Sequence, residues 1–563
     1  MEKIWFKSYP KSIKREINVD DLGTIVDMFK RSAKQYANNP AYTSIRTTLT
    51  FAQAEELVDN FSSFLQNILK VEKGERIAIM MPNVLQYPIA VFGALQAGMV
   101  VVNINPLYTA PEVQAQLIDS EASTIVVLEN FASTFEKIAD TVPVKHVIVA
   151  KIGDLLHSFW GFVFNFAVKN IAKGVPSYKL SGHIAFKEAI ALGKKTSFRP
   201  VDLRNTDLAF LQYTGGTTGI PKGAMLTHRN ICANIAQASE WISLKLKPGS
   251  ECIVTALPLY HIFSLTVNLM IFTSIGGHNI LIVNPRDMKN FIKQLKNKKY
   301  NITAISCVNT LFNALVNQSE FKKIDFSSWK ISLGGGAAVQ KDVADKWNQI
   351  TGLPIIEAYG LTEASPGVCV NPVTIEQYTG YVGLPIPSTD IQIRDKNGEQ
   401  LGIGEVGDLW VRGPQVMLGY WNRPEETEKV LKDGWLDTGD IAYVNEEGFV
   451  KLVDRKKDMI IISGFNVYPN EVEDVLMMNP GILECSVIGV PSEKTGEALK
   501  VFIVKSDPNL TEEEVIQFAR RSLTSYKIPK IIEFRDELPK SNIGKILRRV
   551  LHEEEMAKLK IRK

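Results

Sequence analysis

Histidine and cysteine are scarce, at seven and five of 563 residues. No H-E-x-x-H motif and no His/Cys cluster occurs, which argues against a protein-ligated zinc site. Cys232, Cys252, Cys307, Cys369 and Cys485 stand singly, with no C-x-x-C. An odd number of isolated thiols in a long chain is expected of a reducing, cytoplasmic setting. Long hydrophobic runs are missing too: no stretch of 18 apolar residues could span a bilayer. The N-terminus, MEKIWFKSYPKSIKREINVD, is charged throughout and lacks the apolar core of a secretory signal. Neither sign of charge is in excess, with 64 basic and 61 acidic residues, which disfavours a dedicated nucleic-acid binder. Glycine (38) and proline (26) are near average usage, excluding collagen-like and low-complexity chains. No nucleophile elbow appears, so hydrolase chemistry has no support.

What is present is enough for large cores: 45% of residues are hydrophobic and 22% charged, which excludes wholesale disorder. At this length about three or four units are expected. From Gly74 onward, apolar runs (GERIAIMM, MVVVNI, TIVVLE, VKHVIVA) alternate with helical patterns, and Glu251–Glu363 repeats the texture. Such alternation predicts βαβ units on parallel sheets. The fold class expected is therefore α/β, with two parallel-sheet subdomains separated by a looser segment over residues 151–205. Short strands with turn signals over about 380–455 predict a small β subdomain. The change of texture at Arg455–Asp458 marks a boundary, placing 1–455 in a large N-terminal domain and 456–563 in a smaller α+β domain. One stretch, Ser158–Val168 (SFWGFVFNFAV), is followed by Lys169 and Lys173. It fits an aromatic helix lying on a membrane surface and fits equally a helix packed on the protein's own core.

The densest chemical signal is Tyr213–Gly223, YTGGTTGIPKG. Glycines let backbone N–H groups approach phosphate oxygens, the threonines add donors and Lys222 adds a cation. It is not a Walker A loop, because Gly223 stands where Ser or Thr must follow the lysine. A bare Gly/Thr cluster would more often be a surface turn, but the cation at the end of the glycines favours a triphosphate loop. Further on, EAYGLTEAS (357–365) runs from a strand end into a Thr-Glu pair, and Glu363 there suits Mg²⁺, an oxygen-liganded ion. GWLDTGDIA (434–442) places Asp440 in what reads as a tight turn.

YTGGTTGIPKGAMLTHRN resembles the phosphate loop of the adenylate-forming enzymes, the superfamily of acyl-CoA synthetases, peptide-synthetase adenylation domains and luciferases. The resemblance runs in order through PLYHIF (258–263), GGGAAV (334–339), EAYGLTEAS, GWLDTGDIA, VDRKKDMIIISGFNVYPNEVED (453–474) and LPKSNIGKILRR (538–549). Together these motifs most resemble the bacterial long-chain fatty-acid–CoA ligases, and Asp433–Pro480 resembles the signature region of fatty acyl-CoA synthetases rather than of the superfamily at large. What the resemblance implies is residue-specific. Tyr213, Thr214, Gly215, Gly216, Thr217, Thr218, Gly219, Pro221, Lys222 and Gly223 would hold the phosphates. Gly335, Gly336, Ala337, Glu357, Ala358, Tyr359 and Gly360 would surround the nucleotide, with Tyr359 against the adenine face. Thr362 would meet a phosphate and Glu363 the Mg²⁺. Asp440 and Arg455 would hold the ribose, and His261 would border the acyl site. Lys545 would be the catalytic cation, and Gly464, Phe465 and Asn466 would line the CoA tunnel. Lys457 would be the hinge of a mobile C-terminal domain. Ala338 and Ala358 replace a frequent Pro and a frequent Gly, leaving the shape of the pocket wall open.

The activity implied is ATP-dependent activation of a long-chain fatty acid through acyl-AMP to acyl-CoA, with ATP and CoA as co-substrates and Mg²⁺ as the metal. The resemblance also admits a homodimer and a peripheral membrane contact. Two other readings remain at this point. A fatty acyl-AMP ligase would pass the chain to a carrier protein, and a peripheral-membrane lipid-binding protein would use ATP only as a gate.

Overall fold

Four sheets carry the chain in the computed structural model, which describes every residue except 1–2, 157, 172–173, 215–220, 493, 542–543 and 562–563. The first sheet has seven strands in the order Ile184–Ala185, His146–Ala150, Thr124–Leu128, Arg76–Met80, Val100–Asn103, Leu208–Thr214 and Lys222–Thr227. All neighbours are parallel except the last pair. Its central strands are unbroken apolar runs because helices cover both faces, and Ile77–Met80 and Ile125–Val127 are wholly buried.

The second sheet has nine strands, and its middle is parallel: Ile355–Gly360, Ile331–Gly334, Ala304–Cys307, Cys252–Thr255, His278–Leu281 and Pro40–Ser44. Antiparallel strands finish both edges, so the two sheets expected to be parallel are mixed at their margins. Pro40–Ser44 joins this sheet from far upstream, with Tyr42 opposite Asn279. Threonines open the helices Ile25–Gln35, Phe51–Phe64, Ala110–Ser120, His228–Ile242 and Glu512–Arg520, each through a reciprocal capping box.

The third sheet is antiparallel and ends with Val450–Arg455 paired to Trp435–Val444. The fourth begins at Ile460–Ile462 and is built on the long hairpin Ile482–Ser492 with Gly496–Lys505. One apolar cluster joins the first three sheets, drawing Ile77, Val101, Ile253, Ile331 and Leu409 together. The fourth sheet has a cluster of its own around Val472, Leu476, Val487, Val501 and Val515. The segment expected to be loose, 151–205, contributes the edge strand Ile184–Ala185 and two helices, Ser158–Phe166 and Phe186–Gly193.

Candidate active site

Parallel strands place loops at their carboxyl ends, and ligands of α/β sheets bind there. Four strands of the second sheet end in Leu257–His261, Val308–Thr310, Gly335–Ala337 and Leu361–Glu363, and residues from all four loops line one cavity of about 1840 Å³. That exceeds the roughly 300–1,000 Å³ of a pocket for one small ligand, so more than one substrate fits.

The two ends of the segment expected to hold phosphates are antiparallel strands, in which Thr214 faces Lys222 and Tyr213 faces Gly223. Gly215, Gly216, Thr217, Thr218 and Gly219 lie outside the described residues. The base of the hairpin is held from elsewhere in the chain. The Tyr213 hydroxyl donates to Asp119 Oδ2 at 2.7 Å, and Arg423 pairs with Asp119 Oδ1 at 2.6 Å. Lys222 is ion-paired with Glu426 and sits 5.2 Å from the Tyr420 ring centroid. A side chain at Gly223 would press on the Tyr213 ring, 3.1 Å from its Cζ.

Past the strand Ile331–Gly334, Gly335 is needed for close packing, since a Cβ there would lie 3.0 Å from Phe263 Cζ and 3.2 Å from Ala358 O. Gly336 follows with φ +78°, and Ala337 completes this wall. The strand Ile355–Gly360 supplies Glu357, Ala358, Tyr359 and Gly360, then turns through Thr362–Ala364. Glu357 is buried, its Oε2 has no hydrogen-bond partner among the described residues, and burial pushes its carboxyl up to about 8. The Glu363 Oε1 accepts the Tyr420 hydroxyl at 2.7 Å. No group of three or more His, Cys, Asp or Glu side chains able to hold a metal occurs among the described residues. One carboxylate beside the Thr362 hydroxyl still fits Mg²⁺, which takes most of its oxygen ligands from phosphates and water.

Asp440 corrects the sequence reading. It lies within the strand Trp435–Val444, directly opposite Arg455, because Gly439 at φ +70° kinks the strand without ending it. Its Oδ2 accepts the Tyr359 hydroxyl at 2.6 Å, and its Oδ1 lies 3.4 Å from Arg455 Nε. His261 caps a short helix, its Nδ1 accepting the Phe263 N–H, and faces the cavity. Burial, and then Lys545, push the imidazole down to about 4, so it is neutral at physiological pH.

Lys545 reaches the same cavity from the C-terminal region. Gly544, at φ +85°, passes so close to Thr310 that a Cβ would meet its Oγ1 at 2.4 Å, while Thr310 donates to the Gly544 carbonyl. Burial, then the Arg455 guanidinium, lower the Lys545 ammonium to about 8. Lys457 lies in the turn between the third and fourth sheets, where burial also lowers its ammonium. Gly464, Phe465 and Asn466 are not brought here. Gly464 lies in the turn after Ile460–Ile462, with no atom of the described residues within 4 Å of a Cβ built there, while Phe465 and Asn466 open the strand Phe465–Val467 and Phe465 stacks on Tyr526 at 4.9 Å.

Away from the polar end, the cavity becomes an apolar slot. Asn234, Ala238 and Ile242, four residues apart on the helix His228–Ile242, form one wall. Ile253, Ala304 and Ile331, at the starts of three parallel strands, form the other. The slot therefore runs the length of the strands, roughly 13 Å at about 3.3 Å per residue. The i, i+4, i+8 spacing of that helix is the signal that could have marked this wall. Asp119, Tyr420, Glu426 and Thr310 gave no local signal, because each works through a partner far off in sequence.

The sequence profile of the AMP-binding enzyme family matches residues 29–421, and that of the AMP-binding enzyme C-terminal domain matches residues 471–545. The chain belongs to the AMP-binding enzyme family. It is 53% identical over 556 residues to a long-chain-fatty-acid–CoA ligase of Yersinia pestis, with 99% of each chain covered. It is 37% identical over 560 residues to a protein of the same name from Bacillus subtilis, with 98% of each covered. Among solved structures, an anthranilate CoA ligase holding anthranoyl-AMP shares the fold at a TM-score of 0.84 and 24% identity, covering 96% of this chain and 99% of that one. ATP-bound MatB from Rhodopseudomonas palustris matches at a TM-score of 0.78 and 25% identity, covering 94% and 98%. The fold of this AMP-binding enzyme is thus that of adenylating CoA ligases.

Proposed function

We propose that this AMP-binding enzyme activates long-chain fatty acids, joining them first to AMP and then to CoA. The observation that carries the reading is the continuity of one cavity, polar where Lys545, Glu363 and Asp440 meet and apolar along the slot beneath. The name shared by its full-length relatives supports the same substrate. In the first half-reaction a carboxylate oxygen attacks the α-phosphate of ATP, the bond to the β-phosphate breaks, and acyl-AMP and pyrophosphate form. Two anions must meet, so a fixed cation lowers the barrier, and Lys545 supplies it. The hairpin Tyr213–Gly223 holds the phosphates, Asp440 and Arg455 orient the ribose, and Thr362 positions a phosphate oxygen. Glu363 would hold Mg²⁺, which would supply charge neutralisation on the phosphates. In the second half-reaction the CoA sulfur displaces AMP from the acyl carbon, with loss of the thiol proton.

The two steps need different surfaces, and this supports a division at Lys457 into a body of residues 1–455 and a mobile unit of residues 456–563. The structure has Lys545 in the cavity and Gly464–Asn466 outside it, the arrangement that serves the first step. Half-reaction assays test the reading. Lys545→Ala is expected to lower palmitate-dependent ATP–pyrophosphate exchange about 10²–10³-fold, yet still convert supplied palmitoyl-AMP to palmitoyl-CoA. Gly464→Leu is expected to do the reverse. Equal loss of both steps in both variants would contradict the two-arrangement account.

A lipid surface is part of this reading. No helix among the described residues is long and apolar enough to cross a membrane. The helix Ser158–Phe166 instead presents Phe162, Val163 and Phe166 outward, with Phe162 73% exposed, and Ile171 follows beyond it. Asn165, its polar residue, turns inward and accepts the Gly153 N–H at 2.8 Å. A helix that turns Asn165 inward, packs Phe164 on the core and exposes Phe162 and Phe166 next to exposed Lys169 suits the anionic face of a bilayer, where fatty acids reside.

A further inference from the structure

Three residues beyond Lys545, at the start of the helix Arg548–Ile561, Arg548 lies in a pocket of carboxylates that the reaction itself does not use. Its Nε donates to Glu473 Oε1 at 3.0 Å and its Nη2 to Glu473 Oε2 at 2.5 Å, a two-pronged pairing. Nη2 also bonds Asn470, and Nη1 lies 3.3 Å from Asp454 Oδ1 and 3.6 Å from Asp458 Oδ2.

The two main partners belong to different parts of the chain. Glu473 is on the helix Pro469–Leu476, where its Oε1 also accepts the Val487 N–H, so it is fixed to the fourth sheet. Asp454 is the penultimate residue of the last strand of the third sheet, one position before Arg455. Its side chain is fully buried and also accepts the N–H groups of Asn470 and Arg455. Any rotation about Lys457 carries Arg548 and Glu473 together and leaves Asp454 behind. The Arg548–Glu473 pair is then permanent, while the Arg548–Asp454 pair exists only while Lys545 is in the cavity.

We propose that Arg548 is a positioning residue for the first half-reaction, its guanidinium clamped on Glu473 and docked on buried Asp454 so that Lys545 is held at the reacting atoms. This rests on the two-step reading above. The planar fork matters, because lysine cannot pair with Glu473 through two bonds and reach Asp454 at once. Removing either partner leaves a buried charge without its counterpart, which destabilises this arrangement against the rotated one.

The two half-reactions, measured separately on the full chain, test the proposal. Arg548→Lys and Asp454→Asn are each expected to lower palmitate-dependent ATP–pyrophosphate exchange about 10- to 100-fold, the cost of a misplacement of about 1 Å. Arg548→Ala falls further than Arg548→Lys. Conversion of supplied palmitoyl-AMP to palmitoyl-CoA stays within a factor of about three of wild type, which a general loss of folding would not allow. Equal loss of both half-reactions in Arg548→Lys and Asp454→Asn, or no loss of the first step in either, overturns the proposal. If the wild-type chain itself makes no palmitoyl-AMP, the functional reading fails instead.

Discussion

Lys545 shows what the site asks of a single side chain. Burial and the guanidinium of Arg455 lower its ammonium to about 8, with Arg548 acting in the same direction and Asp440 and Asp458 opposing it. In the function proposed above only the cation can neutralise the developing charge, so on that reading the empty enzyme loses its active form as pH rises through about 8. Bound ATP adds anions and pulls the same group back up. The kcat/KM of the adenylation half-reaction, which reports the free enzyme, is therefore expected to fall above about pH 8, and kcat to fall only at higher pH. His261, held neutral down to about 4, contributes no limb in that range. A pH–rate series on pyrophosphate exchange checks this, and a kcat/KM flat to pH 10 would exclude Lys545 as the cation required. The residues of this site were legible where they fall in short motifs, as with Thr362, Glu363 and Lys545. Asp119, Glu426 and Asp454 were not, because their partners Tyr213, Lys222 and Arg548 lie 94 to 204 positions away.

At the scale of elements, periodicity read correctly wherever an apolar run or an amphipathic stripe was long. The helix Gln86–Gln96 and the strands Arg76–Met80 and Thr124–Leu128 stand where the pattern put them. It could not foresee that Leu265–Ile271 winds as a π-helix, nor that Asn268 within it bonds Val254 O, Thr255 Oγ1 and Ser306 Oγ, contacts with segments distant in sequence. Nor could it place Asp440 on a strand, because a Thr-Gly-Asp sequence signals a turn locally, whereas pairing with Gly407–Arg412 on one side and Val450–Arg455 on the other carries the strand through it. The helix Ser158–Phe166 admitted two readings from sequence, and it has features of both, with Phe164 packed on the core and Phe162 and Phe166 exposed. Phe162→Glu with Phe166→Glu is expected to abolish flotation with phosphatidylglycerol vesicles. Palmitoyl-CoA synthesis from detergent-dispersed palmitate should remain within about two-fold. Unchanged flotation would assign the contact elsewhere.

Over the whole molecule, sequence reading recovered the α/β class and the antiparallel third sheet. It missed the sharing of strands: Pro40–Ser44 and Thr47–Thr50 belong to the second sheet, and Leu208–Thr214 with Lys222–Thr227 to the first, where Leu208–Thr214 pairs with the distant Val100–Asn103. That sharing brings residues of both sheets to one cavity, with Tyr213, Thr214, Pro221 and Lys222 of the first lining it together with the loops of the second. Lys545 enters from the fourth sheet's side, tied through Gly544 to Thr310 and through Arg548 to Asp454. The central claim is that this arrangement makes acyl-AMP and then acyl-CoA, and a product assay tests it most directly. Purified protein is incubated with Mg·ATP and palmitate, with and without CoA, and AMP, ADP, pyrophosphate, palmitoyl-AMP and palmitoyl-CoA are resolved. The account predicts AMP and pyrophosphate, with palmitoyl-CoA formed only when CoA is present. Palmitoyl-AMP that CoA never consumes would make the chain an acyl-AMP ligase, and ADP with phosphate in place of AMP would contradict adenylation itself.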